Sequence, residues 1–186
     1  MTDGTASRAR LAAVAERAVR AGGDYLADAF REGAIDADYR TDDVKAAADR
    51  AAEERVLDVV REAYPDHAIR AEESGSAGDH RYEWVVDPLD GTNNFAAGLP
   101  SFATAACVRC DGRTEVAAVY EPLPDDLYLA RRGAGVTVDG EPVTAGTEVS
   151  LSAGTVSFVV GLPALRDVGL RATADRIESA VGAECK

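Results

Sequence analysis

Lysine is almost absent from this 186-residue sequence, in which Lys45 and Lys186 are the only two. The 20 basic residues are therefore nearly all arginine, and 33 acidic residues outnumber them to give a formal net charge of −13. Because nucleic-acid binding requires clustered Lys and Arg against the phosphate backbone, we expect no nucleic-acid partner. Two origins of this composition stay open: a cytosol with concentrated salt, where a carboxylate-rich surface stays hydrated, and a GC-rich genome, which favours Arg and Ala over Lys.

Long apolar runs are also missing. No stretch approaches the roughly 20 consecutive apolar residues that a membrane-spanning helix needs. Residues 1–10 are polar and lack the apolar core of a signal peptide. We therefore expect a cytoplasmic protein with no membrane partner. A chain of 186 residues is long enough to bury its own core, and we expect one domain over residues 1–186.

Cysteine occurs three times, at Cys107, Cys110 and Cys185. An odd number suits a reducing compartment better than a disulfide framework. Cys107 and Cys110 have the spacing of many zinc ligands, but they lie in an apolar run that is typical of a strand. Side chains three positions apart in a strand point to opposite faces, and no second Cys or His pair completes a zinc site. We therefore interpret both as structural residues.

Two amphipathic helices are predicted in the N-terminal third. From residue 6 to residue 32, apolar side chains recur at the spacing of a helix with one buried face. Gly22 and Gly23 weaken the prediction that this helix is continuous. A second helix is predicted over residues 41–64, because Thr41 is a suitable N-cap and the apolar spacing continues behind it.

Short apolar or alternating runs, separated by Gly, Pro and Asp-Gly turns, predict a first short strand followed by an antiparallel meander. The predicted strands cover residues 68–71, 84–87, 101–109, 114–120, 126–130, 136–138 and 155–161. A further helix is predicted over residues 163–181, and the polar residues 76–81 are predicted to form a loop.

The stretch WVVDPLDGTNNF, residues 84–95, carries most of the functional information. A short apolar strand ends there in two carboxylates with a proline between them. Pro88 fixes its own φ angle and redirects the chain, so that Asp90 can converge with Asp87. Two convergent carboxylates favour a hard cation.

Gly91 and Thr92 follow these carboxylates directly. A glycine allows the backbone to approach a ligand closely, and the free N–H groups of a starting helix attract an anion. Metal and phosphate would then share one turn. The alternative is a simple surface turn, because turn-forming residues alone would explain Pro88 and Gly91.

The hexapeptide at residues 87–92 resembles the Asp-Pro-hydrophobic-Asp-Gly-Thr signature of the inositol monophosphatase family, which are magnesium-dependent, lithium-sensitive sugar phosphatases. The resemblance implies a layered αβαβα sugar-phosphatase fold of the α+β class, with two N-terminal helices packed on a largely antiparallel sheet. It covers most of this chain but only the N-terminal part of the family's domain. We therefore expect a C-terminally truncated version of that fold.

The resemblance also implies roles for residues outside the hexapeptide. Residues 71–74 resemble the family's Gly-Glu-Glu-Ser, with Ala71 in place of the glycine, which implies that Glu72 is a metal ligand and accepts a hydrogen bond from Thr92 to orient the attacking water. Asp49 stands where the family carries an outer metal-site aspartate. The match there is imperfect, because the family's usual threonine three residues earlier is Ala46 in this sequence.

The metal ligands implied in this way are four carboxylates and one backbone carbonyl, from Asp49, Glu72, Asp87, Asp90 and Leu89. The implied cofactor is Mg²⁺, which prefers such oxygen ligands. Glu72, Asp87 and Thr92 would be catalytic. Backbone N–H groups of Gly91 and Thr92 would hold the phosphate.

The family's Trp-Asp motif, whose aspartate completes a metal site, has no counterpart here, since the one tryptophan is Trp84. The resemblance therefore implies weak turnover at most. The implied substrate is inositol monophosphate, with fructose 1,6-bisphosphate as a second and 3′-phosphoadenosine 5′-phosphate as an alternative. A non-catalytic remnant that binds metal and phosphate, or a fragment of a longer phosphatase, also stays open.

The expected partner is a small phosphorylated sugar or polyol. A sheet that lacks its neighbouring elements would expose an edge and an apolar face, which proteins rarely leave uncovered. We therefore expect a homodimer or another form of self-association through that edge.

Overall fold

The computed structural model describes residues 7–32, 42–144, 146, 172, 175–176 and 179. The chain divides into two units, Met1–Val143 and Thr144–Lys186, and the elements below belong to the first. The predicted strand 155–161 lies outside the described residues, as does most of the predicted helix 163–181, whose described residues are helical. In the part of the chain that is described, no helix is long and apolar enough to cross a bilayer.

The first helix, α1, is continuous over Arg8–Arg31. The side chain of Ser7 caps it by accepting a hydrogen bond, at 3.3 Å, from the backbone N–H three residues on. Gly22 and Gly23 lie inside the helix, and a Cβ atom on Gly23 would lie only 2.5 Å from a ring carbon of Tyr120. The glycines that weaken the helical prediction thus allow α1 to pack directly on the sheet.

The second helix, α2, covers Asp42–Ala63. The predicted cap, Thr41, lies outside the described residues. Two acidic side chains of α2 are buried one turn apart, since Asp49 is 7% exposed and Glu53 is 3% exposed. Acidic side chains are almost never buried without a compensating partner. This pair therefore marks the side of α2 that faces a polar environment within the protein.

Eight strands form one sheet in the order β2-β1-β3-β4-β5-β6-β7-β8. Neighbouring strands are antiparallel except β1 and β3, which are parallel. The strands are Ala68–Ala71 (β1), Gly75–Ala77 (β2), Tyr82–Asp90 (β3), Ala103–Cys110 (β4), Arg113–Glu121 (β5), Asp126–Arg131 (β6), Gly135–Val138 (β7) and Glu141–Val143 (β8). A short helix, α3, follows β3 at Thr92–Ala96. This arrangement of two helices on a largely antiparallel sheet confirms the predicted α+β class.

The sequence pattern predicts neither of the edge strands. β2 overlaps the loop predicted over residues 76–81, and its three residues are all exposed, so no apolar alternation could reveal it. It forms because its backbone pairs with β1, as between Ile69 and Ala77. β8 follows the predicted Asp139-Gly140 turn, whose φ angles of 49° and 83° are typical of a tight hairpin.

Two apolar clusters fill the space between the helices and the sheet. The larger one includes the fully buried Trp84 and joins α1 and α2 to the central strands. The smaller one lies around α3 and is formed by Leu26, Ala48, Ala52, Leu89, Phe95 and Phe102. The side chain of Leu89 is 1% exposed within it. Burial of Leu89 therefore anchors the C-terminal end of β3, where the two candidate aspartates lie.

The opposite face of the sheet carries exposed apolar side chains. Side chains alternate between faces, so Val119 points away from the helices while Ala118 and Tyr120 join the larger cluster. Val119 and Tyr128 are cross-strand neighbours, and they are 36% and 37% exposed. Cys107 shares this face through its neighbour Val85, whereas Cys110 packs against the larger cluster. Both thiols are free, and they face opposite ways.

Candidate active site

The end of β3 is held in an irregular conformation. Its pairing with β4 is regular from Tyr82 to Asp87 and then shifts before Asp90. Pro88 lies at this irregularity, where its lack of an N–H donor prevents regular pairing. The hydroxyl of Thr104, fully buried on β4, donates a 2.9 Å hydrogen bond to the carbonyl of Pro88. The bulge that carries both aspartates is therefore fixed from the neighbouring strand.

Gly91 and Thr92 continue from this bulge into α3. Gly91 has φ 90°, and a Cβ atom there would lie 2.8 Å from the carbonyl oxygen of Ser101, so the position requires glycine. The hydroxyl of Thr92 donates a 2.9 Å hydrogen bond to the carbonyl of Leu89. The resemblance implies a bond from this hydroxyl to Glu72. The structure differs because the turn at Gly91 brings the hydroxyl back over the residue three positions earlier.

Glu72 reaches Asp87 because β1 and β3 are parallel neighbours. Ala71, the last residue of β1, lies opposite Val86, so Glu72 and Asp87 both follow at the same edge. Their carboxyl groups lie within hydrogen-bonding distance of each other. Burial, and then the negative charges of Glu72 and Asp90, raise the pKa of Asp87 to about 6.

Asp49 brings a further carboxyl group to this place from α2. Burial, and then the negative charges of Glu73, Glu72 and Asp87, raise its pKa from the usual 3.8 to about 7. Repulsion thus acts between Asp49 and both Glu72 and Asp87, and between Asp87 and both Glu72 and Asp90. These four acids are the side chains that the sequence assigns to a metal site.

Two oxygens of this group lack hydrogen-bond partners. Within the described residues, Oδ1 of Asp49 and Oδ1 of Asp87 are both buried and unpaired. A buried oxygen of this kind is uncommon and suggests a missing ion or water. A cation would supply both the coordination that these oxygens lack and the positive charge that the repelling acids lack.

The donor set fits magnesium. In their present positions, no three His, Cys, Asp or Glu side chains among the described residues lie close enough together to hold a metal ion by themselves. Mg²⁺ does not require three such side chains, because it keeps several waters and is usually bound by one or two carboxylates together with substrate phosphate. The carbonyl of Leu89 adds an oxygen, since a carbonyl has two lone pairs and Thr92 occupies one. The residues present therefore fit a hard divalent cation.

Sequence reasoning singles out neither Glu53 nor Thr104, although both support the site. The two carboxylate oxygens of Glu53 accept hydrogen bonds from the backbone N–H groups of Glu73, at 2.8 Å, and Ser74, at 2.9 Å. One feature of the sequence could have indicated Glu53: it lies four residues after Asp49, on the same side of a helix. Thr104 gives a weaker indication, as a polar residue within an apolar strand.

The two histidines lie at the other end of β3. The ring of His67 stacks on Tyr64, with 4.3 Å between ring centroids, and its Nδ1 accepts a 3.1 Å hydrogen bond from Trp84. Burial lowers the pKa of His67 to about 4, so the ring is neutral. His80 stacks on His67 at 4.9 Å. Both belong to an aromatic stack with Tyr64 and Tyr82.

Comparison with known proteins shows to which family this chain belongs. The model of the inositol monophosphatase family matches residues 7–185. The Nus factor SuhB of Pasteurella multocida (strain Pm70) is 39% identical over 154 residues, which are 81% of this chain and 57% of that protein. The SuhB of Escherichia coli (strain K12) is 40% identical over the same length. This chain therefore belongs to the inositol monophosphatase family.

Solved structures show the same fold. The inositol monophosphatase from Anabaena (Nostoc) sp. PCC 7120 matches with a TM-score of 0.66 at 32% identity, over 76% of this chain and 52% of that one. Inositol monophosphatase-II from Staphylococcus aureus MSSA476 has the same TM-score at 28% identity, over 78% and 53%. The chain thus spans little more than half the length of the relatives that it matches.

Proposed function

We propose that this protein hydrolyses a small phosphomonoester, with inositol monophosphate as the substrate and Mg²⁺ as the cofactor. The observation that carries the proposal is that the charges of Glu72 and Asp87 act on Asp49 and those of Glu72 and Asp90 act on Asp87, while one buried oxygen each of Asp49 and Asp87 has no hydrogen-bond partner among the described residues. Membership of the inositol monophosphatase family supports the same reaction class. Without a bound cation, repulsion among these acids destabilises the folded protein, and a bound cation would offset this repulsion.

Asp87 would be the central ligand, because the charges of both Glu72 and Asp90 act on it. The Leu89 carbonyl and Asp49 would complete the set of protein oxygens. When bound, magnesium would acidify a coordinated water and neutralise charge on the phosphate oxygens. The exposed position of Glu72 leaves it accessible to that water from the solvent side.

The remaining roles belong to residues of the bulge and of α3. Glu72 would accept a proton from the attacking water or hold that water in line with the phosphorus. The Thr92 hydroxyl is held on the Leu89 carbonyl at 2.9 Å, so reaching the water would require it to rotate away. The backbone N–H groups of Gly91 and Thr92 would bind the phosphate oxygens.

The identity of the substrate is the more specific part of the proposal. Inositol monophosphate is the first choice, with fructose 1,6-bisphosphate as a second substrate, because both present a phosphomonoester on a hydroxylated ring. A nucleotide such as 3′-phosphoadenosine 5′-phosphate is the alternative. A relative from Staphylococcus, 27% identical with a TM-score of 0.63, has been solved with 2′-AMP bound, which supports including nucleoside monophosphates in any test. We also propose that the protein is cytoplasmic.

Phosphate release from a panel of substrates tests this proposal. The panel would contain inositol 1-phosphate, fructose 1,6-bisphosphate, 2′-AMP and 3′-phosphoadenosine 5′-phosphate, each with Mg²⁺ and with EDTA. We expect release to require Mg²⁺ and to be fastest with inositol 1-phosphate. Release that persists in EDTA would contradict the metal assignment, and preference for a nucleotide would contradict the substrate assignment alone.

A second candidate function is binding of metal and phosphate without turnover. It is favoured by one observation, that the sequence contains no tryptophan besides Trp84 to form the family's Trp-Asp motif. Calorimetry with Mg²⁺ and inorganic phosphate separates the two candidates when it is combined with the release assay. Tight binding of both ions without release of phosphate from any substrate would favour this second function.

A further inference from the structure

The carboxylate of Glu53 is buried in the middle of α2 and is only 3% exposed. Burial of a charged carboxylate is costly unless its oxygens receive hydrogen bonds. Both of its oxygens do so, because Oε2 accepts from the N–H of Glu73 and Oε1 accepts from the N–H of Ser74. Hydrogen bonds to an ionised acceptor are about twice as strong as neutral ones. Glu53 is therefore a strong and specific brace between α2 and the turn at residues 72–74.

The residues of that turn bury little apolar surface that could stabilise it. Residues 72–74 are exposed, and the strand that follows, β2, is exposed at all three of its positions. An exposed turn beside a short edge strand gains no stability from apolar burial, so its conformation depends on its hydrogen bonds. The brace from Glu53 acts on the two residues directly after Glu72.

The same helix carries Asp49, one turn before Glu53. Residues four apart lie on one side of a helix, so α2 presents a candidate ligand and the brace to the same region. The brace thereby fixes the distance between Asp49 on the helix and Glu72 in the turn. Glu72 in turn lies within hydrogen-bonding distance of Asp87.

We propose that Glu53 is a positioning residue, which holds the turn so that the carboxylate of Glu72 stays beside Asp87 in readiness for a divalent cation. This inference rests on the proposed function only because it assumes that a divalent cation binds at this site. Glu53 itself points its two oxygens at backbone N–H groups and would not touch the cation. Partners of this kind typically change metal affinity by ten- to a hundredfold when they are removed.

Glu53→Gln is the informative variant. Glutamine has the same shape but only one acceptor oxygen, and its NH₂ group would face the second backbone N–H. Glu54→Gln is the matched control, because Glu54 is the next residue of the same helix and is exposed. Should Glu53→Gln fail to fold, Glu53→Asp carries the same comparison, since it keeps the charge but is too short to reach both N–H groups.

Three measurements would be made on each variant of the full chain. Amide hydrogen exchange of Glu73 and Ser74 without metal should be faster in Glu53→Gln, by roughly tenfold or more, because a charge-assisted bond is lost. The dissociation constant for Mg²⁺ alone, measured by calorimetry, should rise by about ten- to a hundredfold. Turnover of inositol 1-phosphate should need correspondingly more Mg²⁺ and should recover at saturation, which a general folding defect would not allow.

The possible outcomes are distinct. Faster exchange together with weaker Mg²⁺ binding supports the positioning role, even if no variant hydrolyses a substrate, in which case only the proposed function fails. Faster exchange with unchanged affinity would show that Glu53 is structural only and would overturn the inference. Results identical to those of Glu54→Gln would overturn it as well. If the unmodified chain binds no Mg²⁺, both proposals fall together.

Discussion

Asp49→Asn should stabilise the metal-free protein, although it removes a side chain from the candidate site. Asp49 is 7% exposed, and burial together with the charges of Glu73, Glu72 and Asp87 raises its pKa from 3.8 to about 7. Its ionised form is therefore unfavourable in the folded state. An amide of the same size has no charge to bury or to repel, so the folded state loses this penalty.

The size of the effect follows from linkage between proton binding and folding. A rise of about 3 pKa units corresponds to roughly 4 kcal/mol at a pH well above 7, at about 1.4 kcal/mol for each unit. This is an upper bound, because the buried amide still lacks a partner at the position of the unpaired Oδ1. We therefore expect a gain of about 1–3 kcal/mol at pH 8.

The pH dependence has a definite sign. Between about pH 4 and pH 7 the folded protein binds more protons at Asp49 than the unfolded chain does, so the wild-type protein loses stability as the pH rises through this range. Well above pH 7 Asp49 is ionised in both the folded and the unfolded state, so the loss of stability caused by its raised pKa has reached its full size. The advantage of Asp49→Asn should accordingly be largest at pH 8 and less than half as large at pH 5.

Urea unfolding in EDTA at these two pH values measures the effect. The control is Asp58→Asn on the same helix, because Asp58 is exposed and should give no comparable gain. Added Mg²⁺ should narrow the difference: at a hundred times its dissociation constant it stabilises the wild type by about 2.7 kcal/mol, and Asp49→Asn should gain less. A destabilised Asp49→Asn protein in EDTA at pH 8, or a gain that does not shrink at pH 5, would refute the reasoning.

Three further predictions concern the bulge and the open face of the sheet. Thr104→Val keeps the shape but removes the hydrogen bond to Pro88, so we expect a loss of about 1–3 kcal/mol in urea unfolding, and an unchanged value would contradict the bracing role. Gly91→Ala should cost more than Gly133→Ala in the same assay, since both have positive φ but only the Cβ at position 91 meets backbone, at 2.8 Å. Equal losses would show that φ strain alone matters. Light scattering should show dimers or larger species, because Val136 and Val143 are 40% and 46% exposed, and a monomer at every concentration would contradict this.

Much of the fold could be predicted from local patterns in the sequence. The apolar spacing of α1 and the alternation in β4, β5 and β6 each report burial on one face, so these elements are found close to their predicted bounds. β2 could not be predicted, because three exposed residues carry no such pattern and their pairing with β1 is purely a matter of backbone hydrogen bonds. Gly23 weakens the prediction that α1 is continuous. Helix propensity does not register that this position packs against the ring of Tyr120, where only a glycine fits.

The candidate site divides in the same way. Asp87 and Asp90 are only three positions apart in sequence, so their approach follows from one proline and its turn. The approach of Asp49 to that turn depends on how α2 packs against the sheet, and only the family resemblance indicated it. Glu53 accepts two hydrogen bonds from residues 20 and 21 positions away, and Thr104 donates one to a residue 16 positions away. Isolated bonds of this kind leave no periodic trace in the sequence.

The most direct test of the whole account is the effect of Asp87→Asn on magnesium-dependent phosphate release from inositol 1-phosphate. Asp87 lies at the centre of the acidic group, where an amide cannot replace its charge toward a cation. Asp79→Asn, in an exposed loop, is the matched control. We expect release by the wild type and the control to depend on Mg²⁺, and release by Asp87→Asn to fall about a hundredfold or more. Asp87→Asn activity equal to the control would contradict the central assignment of this site.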